Sequence, residues 1–161
     1  MKTWLTDIVR TANERMFDDD ELNRFAVYFA SMPARLKLAE ELEKLEAMLT
    51  KTLHKELTKQ YPDRSLYTKR VVQDLVEGLR HVYASVFADD VGPMRRRWID
   101  HLLQAAQALQ LDIVHLHDAY VCLRDLLKKH LSRSTWDVLA PTYEELLDDL
   151  TATAGLLEEV A

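Results

Sequence analysis

Glycine occurs three times and proline four times in 161 residues. So few breakers exclude a loop-rich or strand-and-turn fold and leave room for long helices with short connections. One cysteine, Cys122, excludes an internal disulfide and fits a reducing compartment. No apolar run approaches the ~18 residues that a membrane-spanning helix needs. The N-terminus has no apolar signal core, so a cytoplasmic protein without membrane insertion is expected. Basic charge is also in short supply. The net charge of −6 argues against a general nucleic-acid surface, and the local run Arg95-Arg96-Arg97 reads as a solvated helix face that pairs with acids.

What the chain has is apolar periodicity. Hydrophobic residues make up 48%, enough for one domain with one core. Leu5, Ile8, Val9, Ala12 and Met16 form the stripe of a short amphipathic helix. Asp18-Asp19-Asp20 breaks it with acids suited to the start of the next helix, whose stripe is Leu22, Phe25, Ala26 and Phe29. Ser31-Met32-Pro33 reads as a stop, with the proline in the first turn of a third helix. That helix is expected to be long, from near Ala34 to Gln60, with Leu38, Leu42, Leu45, Leu49, Leu53 and Leu57 inward. Another starts near Ser65, with Val71, Leu75, Leu79, Val82 and Val86 on its stripe. A helix from about Pro93 to Leu109 turns Trp98, Leu102, Ala105 and Leu109 inward; Asp112 then caps one striped by Ile113, Leu116, Tyr120, Leu123 and Leu127. A short helical turn around Trp136 comes next. Pro141 precedes Thr142-Tyr143-Glu144-Glu145, which reads as a capping box opening a last helix with Leu146, Leu147, Leu150 and Ala154. No segment alternates with period two. The expectation is an all-α domain of seven or eight unequal helices packed at angles.

Catalytic and metal patterns are missing. His115 and His117 are two residues apart and point to different faces of a helix, so they cannot chelate jointly. No histidine pair sits at i and i+4, and no zinc-type cysteine spacing occurs. His101 is the one tempting haem ligand, and a lone helix histidine is more often structural or exposed. Glu144, Glu145, Asp148 and Asp149 read as a solvated face. No serine-histidine-acid order and no phosphate-cradling glycine loop is present, so an enzyme is not expected.

One ordered set of short matches runs through the chain: Glu21-Leu22-Asn23-Arg24, Arg35-Leu36-Lys37-Leu38-Ala39-Glu40, Tyr61-Pro62-Asp63, Asp74, Leu79-Arg80 and Ala88-Asp89-Asp90-Val91-Gly92-Pro93. In this order and spacing the chain resembles the phycobilisome proteins, the allophycocyanin and phycocyanin subunits, from about Leu5 to Ala154. The resemblance implies an all-α, globin-like (phycocyanin-like) domain with an N-terminal two-helix extension that pairs subunits. Residues 1–30 would form the extension and residues 34–161 the globin-like body. The apolar faces at Trp4, Leu5, Ile8 and Phe25 need a cover, either the chain's own body or another subunit. The resemblance favours a partner subunit, either a second copy in a homodimer or another phycobilisome-type subunit.

The family holds a linear tetrapyrrole through a thioether to the cysteine of Cys-Leu-Arg-Asp. The matching residues here are Val71-Val72-Gln73-Asp74. Valine has no nucleophile, so covalent attachment at this position is chemically excluded. Asp74 is kept. Gln73 can donate to a propionate without charge, and a neutral hydrogen bond is roughly half as strong as a charge-assisted one. Lys69, Arg70 and Arg80 are the candidate cationic partners. The family's glycine-rich loop before this helix is shortened to Asp63-Arg64-Ser65-Leu66-Tyr67. Cys122-Leu123-Arg124-Asp125 repeats the family tetrapeptide two helices later, where the family has no attachment site, and reads as a chance match around an inert thiol.

The resemblance therefore implies a non-enzymatic protein of the photosynthetic light-harvesting antenna, acting through subunit association, with no covalent bilin and at most one held non-covalently by Asp74. The alternative is a haem-free globin-like sensory or regulatory module that binds an apolar ligand or a partner protein.

Overall fold

The computed structural model describes residues 4–12, 15–62, 65–109 and 113–158, and among them there is no strand. The helices are α1 (Trp4–Ala12), α2 (Asp19–Gln60), α3 (Ser65–Ala88), α4 (Gly92–Met94), a π-helical turn over Arg95–Ile99, α5 (Asp100–Leu109), α6 (Ile113–His130) and α7 (Arg133–Glu158). The fold is all-α, as the periodicity implies. The stripes form the core: Leu38, Leu49, Leu53 and Leu57 of α2 meet Leu75 and Val82 of α3, Leu123 and Leu127 of α6, and Leu139, Leu146 and Leu150 of α7. Helix α3 lies among α2, α6 and α7, so one face of it is enclosed on several sides.

Two prolines do not act as the sequence suggests. The stop at Ser31-Met32-Pro33 is absent, because α2 runs unbroken through Pro33. An interior proline forfeits one backbone hydrogen bond and costs about 3 kcal/mol in a helix. Anchors on both sides of Pro33 offset that cost. The Tyr28 hydroxyl donates to the Phe87 carbonyl at 2.9 Å. Arg35 is buried and donates to the Val86 carbonyl, to the Phe87 carbonyl at 3.2 Å and to Asp89 Oδ1 at 2.6 Å. These acceptors lie at the C-terminal end of α3, where carbonyls lack helical partners and a cation suits the helix dipole. Asp89, at φ 53°, takes the chain out of that helix.

Helix α7 likewise runs through Pro141, so the turn around Trp136 and the following helix are one element. Thr142-Tyr143-Glu144-Glu145 is therefore helix interior and not a capping box. The cause is the continuous stripe Leu139, Tyr143, Leu146, Leu150, all fully buried across the proline. The start of α7 is held by Glu41, whose carboxylate accepts from the Ser132 N–H and from the Ser132 and Thr135 hydroxyls, each at 3.0 Å. A capping box does exist at the start of α2, where Asp18 accepts from the Glu21 N–H at 2.9 Å and Glu21 accepts from the Asp18 N–H at 3.1 Å. The Asp112 cap, residues 63–64 of the shortened loop and the side chains of Leu109, Ile113 and Ala154 lie outside the described residues.

Candidate functional site

The candidate residues cluster on α3, and helical geometry decides which can act together. Val71 is 4% exposed and belongs to the core. Gln73, one residue before Asp74, points to solvent, as do Lys69 and Arg70. Asp74 is partly buried, and Arg70 pairs with it one turn away at 3.2 Å. Burial holds the Asp74 carboxyl above its ordinary value, while Arg70 and then His101 pull it down. Arg80 is six residues on, roughly 120° around the helix from Asp74. It binds Glu46 at 2.7 Å and Glu77 at 3.2 Å, on the side of α3 that faces α2. The structure thus brings Arg70 and Asp74 together and sets Arg80 apart from them.

The space beside Asp74 is occupied by the protein itself. Tyr120 is fully buried, and its hydroxyl donates to the Asp74 backbone carbonyl at 3.4 Å while accepting from the Trp98 indole N–H at 2.7 Å. Burial pushes the Tyr120 phenol far up, so it stays a neutral donor. Trp98 stacks on His81 with ring centroids 5.2 Å apart, and Tyr143 donates to the Tyr120 carbonyl at 2.8 Å. This layer rests on Gly78. A Cβ there would lie 2.2 Å from Tyr120 Oη and 2.6 Å from Trp98 Nε1. The π-helical turn helps to place it, since Arg95, Arg96 and Arg97 stay in water while Trp98 and Ile99 are both buried. The sequence turns Trp98 and Tyr120 inward, as found, but does not bring them together over α3. The one available signal is Gly78, a glycine inside a helix with no cap or turn to make, which marks a close approach.

Two cavities open elsewhere. One of about 490 Å³ lies around Arg35, Ser85, Asp89 and Thr142. One of about 250 Å³ lies between α2 and α3 beside Leu42, Leu79, Arg80 and Tyr83. Asp74 lines neither. Tested against this geometry, a covalent bilin does not fit: position 71 offers no sulfur and faces the core, and aromatic side chains occupy the room next to Asp74.

The remaining candidates fall in place as ordinary chemistry. Cys122 is half-buried on α6, and burial raises its thiol, first of all, with Glu56 and Asp125 adding to the effect. A raised thiol carries little thiolate and is a poor nucleophile. Arg95 pairs with Asp149 at 2.7 Å and with Glu145 at 3.4 Å, so the basic run meets the acidic face of α7. Among the described residues, no group of His, Cys, Asp or Glu side chains could hold a metal. His101 is exposed beside Trp98.

At the N-terminus, Trp4 packs on Phe25 and Tyr28 with centroids 5.8 and 5.5 Å away, and Arg24 lies over its ring at 4.4 Å. Ile8 is buried. Trp4 and Phe25 thus turn largely toward the chain's own α1–α2 contact, and the Leu5 side chain lies outside the described residues. The apolar side chains left in water are others: Val9, Met16, Leu22, Val27, Phe29 and Leu36.

Comparison with known proteins gives one family. The pattern of the family described as phycobilisome protein matches residues 10–150. No curated protein matches the chain significantly.

Proposed function

The chain belongs to the phycobilisome protein family, and from that premise we propose that it serves the light-harvesting antenna as a non-enzymatic protein that acts by subunit association and carries no covalent bilin. The family's members are structural, light-harvesting proteins that assemble with one another and as a rule carry bilins covalently. The observation that carries the reading is the state of the attachment position: buried Val71 in place of a cysteine, with the Trp98–Tyr120 layer closed over Gly78 next to Asp74. The exposed apolar side chains of the N-terminal helices supply the surface for association, and Trp4, Ile8 and Phe25 support it from beneath. Among the described residues no helix is long and apolar enough to cross a membrane. From the family's place on the cytoplasmic side of the thylakoids, we place the protein in the cytoplasm.

A loosely held bilin is the narrower version of the same reading. Arg70 and Asp74 would be its centre, with Lys69 and Gln73 at the exposed edge; Arg80, tied to Glu46 and Glu77, would have to leave both to take part. Among the described residues the apolar-ligand alternative has the groove beside Leu42 and Leu79, smaller than the roughly 300 Å³ of ordinary small-molecule sites, and the cavity of about 490 Å³, where Val86, Val91, Val138 and Pro141 share the wall with Arg35 and Asp89.

Visible absorption of the protein purified from bilin-producing cells tests the proposal. The wild-type chain and Val71→Cys are both expected to be colourless, because a buried thiol gains no room for a pigment. Colour lost in Asp74→Ala would establish the loosely held form instead. Colour that survives denaturation of the wild type would overturn the proposal.

A further inference from the structure

The cavity of about 490 Å³ at the end of α3 is richer in unmet hydrogen-bond acceptors than in free donors. Its walls come from α2, α3, the turn that follows α3, and α7. Arg35 is buried there with its guanidinium engaged. Nε donates to the Ser31 hydroxyl at 2.9 Å, Nη1 to the Val86 and Phe87 carbonyls, and Nη2 to Asp89 Oδ1. Ser31 is engaged as well, since its hydroxyl donates to the Tyr28 carbonyl at 2.7 Å. Asp89 uses only Oδ1, on Arg35, and Asp90 uses only Oδ1, on the Gly92 N–H at 2.8 Å. Among the described residues neither Oδ2 has a partner, and the Thr142 hydroxyl makes no hydrogen bond. Ser85 is the sharper case. It lines the cavity and is 1% exposed, and its Oγ has no partner among the described residues. A buried hydroxyl left unpaired is costly, and in a native structure it calls for a partner.

Charge points the same way. Arg35 offsets one carboxylate, which leaves the second carboxylate and the negative end of the α3 dipole. A Cβ on Gly92 would lie 2.8 Å from Arg96 Nη1 and 3.0 Å from Asp90 Oδ1, so Arg96 is close by, yet among the described residues no ion pair joins it to Asp90. The rest of the wall is apolar: Val86, Val91, Val138 and Pro141. The volume is that of an ordinary small-molecule site. An anionic ligand would meet two carboxylates and an engaged arginine. A ligand with several N–H donors, a positive charge and an aliphatic stem meets the free acceptors, the charge and the valines together.

We infer that this cavity binds a small aliphatic ammonium ion, with its head among Asp89, Asp90, Ser85 and Thr142 and its methylenes along Val91, Val138 and Pro141. The site is separate from Asp74 and does not rest on the antenna reading. Titration of the full, isotope-labelled chain with butylamine at pH 7 and constant ionic strength tests it, read by amide chemical shifts. Saturable one-to-one shifts are expected at Ser85, Asp90, Val91 and Thr142. Methylamine, which lacks the stem, should bind about tenfold more weakly or worse. Sodium butyrate, the same stem under a carboxylate, should not compete. Asp90→Asn keeps an acceptor for the Gly92 N–H and should weaken butylamine about tenfold or more, as loss of a charge-assisted bond does. Ser85→Ala should weaken it about threefold or more, and without amine should melt no lower than wild type, because it removes an unpaired group. Shifts that do not saturate, butyrate that binds as well as butylamine, affinity untouched by both substitutions, or a Ser85→Ala chain that melts below wild type would overturn the site. A blocked lysine, Nα-acetyl-lysine methylamide, that binds much tighter than butylamine would assign the head group to a protein side chain and overturn a free amine as the ligand.

Discussion

Gly78 is the position where one hydrogen atom decides the most. The Trp98–Tyr120 hydrogen bond passes directly over it, and a methyl group would meet both partners well inside contact distance. Gly78→Ala should therefore lower stability by about 1–3 kcal/mol, the usual cost of overpacking a core, despite the better helix propensity of alanine. In a Tyr120→Phe background the penalty should be smaller, because the nearest colliding atom is the hydroxyl. Urea titrations of the four proteins would measure that coupling. The comparison reports on the space beside Asp74. Equal penalties in both backgrounds would mean that Tyr120 does not stand where the structure has it.

At the level of elements, the corrected caps make a paired prediction. Asp18→Ala removes a working N-cap and should cost about 1 kcal/mol. Thr142→Ala lies inside α7 and should change stability by less than about 0.5 kcal/mol, as substitutions without a special role do. A thermal melt in which Thr142→Ala is the worse of the two would restore a helix start at Pro141. The helices themselves were largely legible in the sequence, because burial of Leu38, Leu49, Leu53 and Leu57, or of Leu116, Tyr120, Leu123 and Leu127, follows directly from 3.6-residue spacing. The prolines were not. A proline forfeits one local bond that the sequence displays, and the anchors that outweigh it, such as Arg35 on Val86 and Phe87, join residues more than fifty positions apart. The stripe across Pro141 was visible and outranked the proline. The candidate site divided in the same way. The missing sulfur at Val71 could be read letter by letter. The filling of the space beside Asp74 could not, because Trp98 and Tyr120 arrive from two other elements.

For the molecule as a whole, the carboxylates set the response to acid, and two of them act in opposite directions. Glu41 is held below its ordinary value of 4.5, first by the Ser132 N–H, so its contribution is present above that value and is lost as pH falls through the lowered one. Asp74 is held above its ordinary value of 3.8 by burial, so the folded state binds its proton more readily and loses stability as pH rises through that window. Asp74→Asn is therefore expected to be at least as stable as wild type at pH 7, with the difference shrinking below pH 3.8. Glu41→Gln should be less stable at pH 7 and converge with wild type in acid. Unfolding midpoints across pH would check both, and a wild-type chain outperforming Asp74→Asn at neutral pH would mean that the Arg70 pair outweighs desolvation.

Helix α2 holds 42 residues without a joint, a rod of about 63 Å. Its front third is the greasy stretch centred on Phe29, and its rear carries the leucines locked into the core. An arm hinged at Pro33 would let a docked mate swing. A continuous outrigger does not, so whatever grips the front dictates the azimuth and tilt of everything behind it, and the architecture of any assembly is written into the continuity of a single element.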